Sequence, residues 1–184
     1  METQDTKGKI VKETFPSEIV SIVGDIFAGM FLLILILPLK SFPLLILIVP
    51  ALLSLRGNNS GPFIARTSRD LIIGEFNRRS FIENAGATFT LSIGTALLIG
   101  TGCTLLDIFF FKLYLIGYVK LMFLPMLSII FALSVSIPCS VFLNILAFRR
   151  GFNPNNVVNP LMTAIDDFFT VISFYLAIIL LGVP

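Results

Sequence analysis

The acids that stand inside apolar runs are the residues of this sequence whose type and position call for chemistry. In LMTAIDDFFTVISFY, Asp166 and Asp167 lie well inside a stretch long and apolar enough to be a membrane helix. An acid at that depth costs about 2.5 to 3.5 kcal/mol on insertion scales, so it faces a water-filled path, an ion or a charged partner. Successive helical positions point about 100° apart, so the two carboxylates cannot share one axis: one is expected to face a conduit and the other a neighbouring helix. No Lys or Arg occurs in that last stretch, and Lys120 is the basic residue available elsewhere for an ion pair. Asp25, in SIVGDIFAGM, poses the same problem near the start of the first apolar run. Gly24 and Gly29 beside it allow a second helix to approach closely, whereas snorkelling to the membrane surface is the competing reading. Asp107 reads as an exposed acid of an outer loop.

The remaining polar groups near these acids offer oxygen. VPALLSLRGNNSG ends an apolar run on Gly57, Asn58 and Asn59, and GFNPNNVVNP, closing on Pro160, introduces the run that holds Asp166 and Asp167. Carboxylates, amide oxygens and carbonyls at glycine or proline breaks suit a hard cation such as magnesium or calcium, and suit copper or zinc poorly. The chain has no His, and its two cysteines, Cys103 and Cys139, lack metal-ligand spacing. A symmetric dimer would double every carboxylate on its axis. No nucleophile stands with a suitable base, so an enzyme is not expected, and neither is an organic cofactor.

Helices in lipid have to hold these groups. Hydrophobic residues make up 56% of the 184 and charged ones only 13%, against roughly a quarter in a soluble domain, so water cannot be the solvent for most of the surface. Five runs approach membrane-crossing length: Ile19 to Leu39, Phe42 to Leu55, Asn84 to Phe110, about Lys120 to Phe148, and Val157 to Val183. The expected fold is therefore an all-α multi-pass protein of the cell membrane, with a polar cytoplasmic segment at 1–18 and one transmembrane domain at 19–184. The second run is short, and Gly57 reads as its stop, followed by an interfacial helix from Pro62 to Phe76. Pro125 and Pro138 are expected to bend the fourth. Lys7, Lys9, Lys12, Arg56, Arg66, Arg69, Arg78, Arg79, Arg149 and Arg150 fall on one side, and only Lys40, Lys112 and Lys120 on the other, which puts the N-terminus inside and the C-terminus outside. A net charge of +2 gives no support to nucleic-acid binding; the expected partners are membrane lipid and divalent cations.

PALLSLRGNNSG with the ARTSRDLIIGEF helix, and GFNPNNVVNPLMTAIDDFFTVISFY, resemble the MgtE-type magnesium transporters and the related eukaryotic solute-carrier magnesium transporters. The likeness covers nearly the whole chain, with these two blocks as its specific part. The resemblance implies five helices, a homodimer with its pore on the two-fold axis, and magnesium as the transported ion. By position it places the pore aspartate on Asp167, a carbonyl one turn earlier on Thr163 and an inner asparagine on Asn159, with Asp25 and Asp166 as further candidate ligands. Gly57, Asn58, Asn59 and Pro160 then become candidate pore-lining or gating positions. Regulatory and CBS domains of the kind MgtE carries ahead of this region have no counterpart in the 184 residues, and a second MgtE-like half, identical or paralogous, is implied. A potential of 100 mV is worth about 4.6 kcal/mol to a divalent ion, so channel-like inward flux needs no coupling. A sodium- or proton-coupled exchanger and a non-transporting membrane subunit are the alternative readings.

Overall fold

A computed structural model describes residues 6–34, 40 and 42–183. Among them the secondary structure is helical throughout: α1 (Lys7–Ile34), α2 (Leu44–Ile73), α3 (Arg78–Leu106), α4 (Tyr118–Arg149) and α5 (Pro154–Leu180), with a π-helical turn at Asp107–Phe111 extending α3. All five are long and apolar enough to cross a membrane, as the sequence leads one to expect. At 1.5 Å per residue each reaches about 40 Å or more, beyond the roughly 30 Å of hydrocarbon in a bilayer. Large apolar side chains on their outer faces stay uncovered, among them Leu98, Phe110 and Val119, as lipid-facing surfaces require. The end of the first run, at 35–39, lies outside the described residues.

The second helix differs most from expectation. It does not stop at Gly57 but runs unbroken through RGNNSGP to Ile73, so the anticipated interfacial helix is its last part. Gly57 keeps ordinary helical geometry, and the left-handed residue that ends α2 is Gly74, at φ 79°, whose N–H bonds back to Leu71. Ser80 donates to the Asp70 carboxylate, and Arg66 Nε donates to Asn84 Oδ1 at 2.8 Å, which fixes α3 against the end of α2. The Asn77 side chain caps α3 by accepting from Arg79 N and Ser80 N. Pro125 and Pro138 both sit inside a continuous α4. Asp107 corrects its reading as an exposed acid. It is 0% exposed, and its carboxylate accepts the backbone N–H groups of Leu113 and Tyr114 where the chain leaves α3.

Helix α5 is the hub, packed against α1, α2 and α4, while α1 meets the bundle almost entirely through α5. The α1–α5 contact is closest at Gly24, where an added Cβ would come within 2.6 Å of the Ala164 Cβ. Residues 7–18, expected as a polar segment ahead of the first span, already belong to α1, and the Glu13 carboxylate accepts from Asn153 N and Asn156 Nδ2 at the start of α5. A carboxylate is favoured there by the orphan N–H groups and dipole of the helix start. Helices α3 and α4 cross at Gly100, where a Cβ would stand 2.0 Å from the Met122 carbonyl oxygen. The apolar core fills the space between α2, α3, α4 and α5, with Leu45, Ile48, Leu52, Leu121, Leu124 and Phe174 fully enclosed.

Candidate functional site

Two neighbouring residues on α5 meet different surroundings. Asp166 is 2% exposed and turned into the bundle. Its Oδ1 takes an ion pair from Arg56 Nη2 of α2 at 2.5 Å and a hydrogen bond from the Ser136 hydroxyl of α4. Its Oδ2 accepts from the Ser60 hydroxyl of α2 at 2.5 Å. Three helices therefore converge on one carboxylate. The pairing anticipated with Lys120 is corrected: Lys120 Nζ donates to the Gly182 carbonyl at the opposite end of α4, and the partner is Arg56. Arg56 is itself 1% exposed, and its Nε and Nη1 find no acceptor among the described residues, so Asp166 is the group that compensates its charge.

Asp167, one position on, is half-buried and takes no part in that network. It lies within electrostatic range of Asp25 on α1, Asp166 and Arg56. Asn159 and Thr163, at intervals of one turn before it, are exposed and continue its side of α5. The Thr163 hydroxyl bonds the Asn159 carbonyl at 3.0 Å. The three border a recess whose other wall is the small-residue face of α2, with Gly57, Ser60 and Gly61, and whose floor is Asp166. A Cβ on Gly61 would sit 3.8 Å from Asn159 Oδ1, so the α2 backbone runs close beside the stripe.

The structure thus gathers Asn159, Thr163, Asp166, Asp167 and Gly57 at one place and brings Asp25 to its edge. Asp25 is partly buried beside the Gly24–Ala164 contact, and its Oδ1 has no hydrogen-bond partner among the described residues. Asn59 goes elsewhere. Its amide donates to Ser92 of α3 at 2.7 Å, and it is 6% exposed, so it ties α2 to α3 instead of facing the recess. Asn58 is exposed, and Pro160 is buried within α5. Sequence reasoning missed Arg56, Ser60 and Ser136 as a set. Its signal was available on α4, where Ser128, Ala132, Ser136, Ser140 and Asn144 recur every fourth residue inside the most apolar helix and are all buried.

Such an arrangement offers an oxygen-lined, half-open recess in which Asp167 has no hydrogen-bond partner among the described residues, which is chemistry for a hard cation. The sequence profile of the MgtE divalent cation transporters matches residues 49–177, which takes in α2 from Val49, α3, α4 and nearly all of α5. Neither a curated protein nor a solved structure matches the chain significantly. With that match over well more than half of its length, and with the matched helices being those that build the recess, the chain belongs to the MgtE family of divalent cation transporters.

Proposed function

We propose that the chain conducts magnesium across the cell membrane, channel-like, through a pore formed where two copies bring their α5 stripes together. The observation that carries this reading is the contrast on α5: Asp166 is neutralised by Arg56, whereas Asp167, in line with Asn159 and Thr163, faces an uncovered recess. Magnesium dehydrates reluctantly, so one carboxylate backed by a hydroxyl and an amide holds it through its water shell. Among the described residues no three His, Cys, Asp or Glu come together as an ion cage, and a second protomer doubles Asp167 without further ligands from the first. The arginine-rich end, with Arg66, Arg78, Arg149 and Arg150, faces the cytoplasm. Asp25 adds negative potential at the rim, and Asp25→Asn is expected to slow flux less than Asp167→Asn does.

Cysteine modification tests the pore line. In a Cys103→Ala/Cys139→Ala background, Thr163→Cys is expected to give magnesium flux in proteoliposomes that a charged methanethiosulfonate reagent blocks, while a cysteine at Leu98 on the outer face of α3 is expected to stay insensitive. Equal insensitivity at both positions removes Thr163 from the permeation path. A sodium- or proton-coupled exchanger is favoured by one observation, that Asp25 Oδ1 has no hydrogen-bond partner among the described residues. That reading requires flux to depend on an imposed sodium or proton gradient; flux that follows magnesium and voltage alone supports the channel.

A further inference from the structure

On the side of α4 opposite its buried serine stripe, Pro138, Val141, Phe142 and Ile145 form one wall of an open groove, and Phe76 and Phe81 form the other. The groove encloses about 510 Å³, and Phe142 is 64% exposed along it. Arg78, at the first position of α3, closes one end. Arg149, the last residue of α4, stands one turn beyond Ile145 on the same face of that helix. Both guanidinium groups are exposed, and neither has an ion-pair partner among the described residues, whereas the adjacent Arg79 is held by Glu83 at 2.8 Å.

We propose that this groove binds an anionic phospholipid, its phosphate between Arg78 and Arg149 and an acyl chain along Phe81, Val141, Phe142 and Ile145. Apolar grooves between membrane helices fill with acyl chains, and a pair of arginines at the polar end selects the headgroup, because guanidinium forks match phosphate oxygens in geometry and charge. A second groove in the protein shows what happens without that end group. Between α1 and α5, Val20, Phe27, Leu161, Ile165 and Phe168 line a cleft of about 260 Å³ with no basic residue in its walls, so it takes any acyl chain. The α3–α4 groove differs in carrying two uncommitted cations where headgroups lie.

The chain has no tryptophan, so Phe142→Trp places a single tryptophan, excited apart from the three tyrosines, in the groove of the full-length protein. In proteoliposomes, brominated phosphatidylglycerol is expected to quench it at a lipid fraction roughly tenfold below that needed for brominated phosphatidylcholine. Adding Arg78→Gln and Arg149→Gln is expected to bring the two lipids level. Phe168→Trp, in the α1–α5 cleft, is expected to show no preference, and Ile145→Trp repeats the measurement should Phe142→Trp fold poorly. Equal quenching by both lipids at Phe142→Trp marks ordinary annular lipid and overturns the proposal, as does a preference that survives loss of both arginines. Quenching by neither lipid overturns it too, because the groove is then closed to lipid.

Discussion

The two sides of α5 differ by a single step along the chain and by everything in their surroundings. On the inner side, Asp166 meets Arg56, Ser60 and Ser136 and is enclosed by three helices. On the outer side, Asp167 shares a half-open recess with Asn159, Thr163 and the glycines of α2. A buried carboxylate needs a compensating charge and hydrogen bonds, and Asp166 has both. Asp167 lies within range of the Arg56 charge but has no ion-pair contact or hydrogen bond of its own among the described residues. The comparison teaches that one step along the chain separates a paired, enclosed acid from one that borders a recess: the contacts of Asp166 fix how α5 is rotated, and that rotation decides what Asp167 faces.

Breaking the inner side is expected to have the largest effect on stability. Arg56→Ala leaves Asp166 charged and buried without its counterion, at a cost of about 3–5 kcal/mol, whereas Arg56→Met with Asp166→Leu removes both charges and costs far less. Thermal unfolding in detergent micelles separates the two, and a single variant no worse than the double one would show that the pair does not anchor α5. Ser136→Ala removes one hydrogen bond to the same carboxylate and is expected to cost about 1.5–3 kcal/mol in that assay. The smallest effect belongs to the recess wall. Gly57 has open space around the position of a Cβ and helical geometry, so Gly57→Ala is expected to raise stability by up to about 1 kcal/mol. A loss at that position would mean that the helix does stop there.

Much of this is legible in the sequence, for definable reasons. Spans could be read because lipid demands long apolar runs, and the expensive acids stood out inside them. The length of α2 could not be read, because Gly57, Asn58, Asn59 and Gly61 carry stop-signal chemistry while tertiary packing against α3 and α5 holds them helical. Arg56 falls next to that expected stop, among the charges of the cytoplasmic side, so its partnership with Asp166, 110 residues away, does not show in the sequence. Asp107 was misjudged because its partners are backbone N–H groups of a turn, which leave no mark in residue types. Two acids with three acceptor bonds between them and the bundle cannot be sorted by spacing alone; only the position of Arg56 shows which one is spent.

Magnesium flux into proteoliposomes, wild type against Asp167→Asn, tests the central claim most directly. A carboxylate at the permeation line concentrates cations by one to three orders of magnitude, so flux is expected to fall roughly tenfold or more while the unfolding temperature barely moves. Asp167→Asn with wild-type flux contradicts the account.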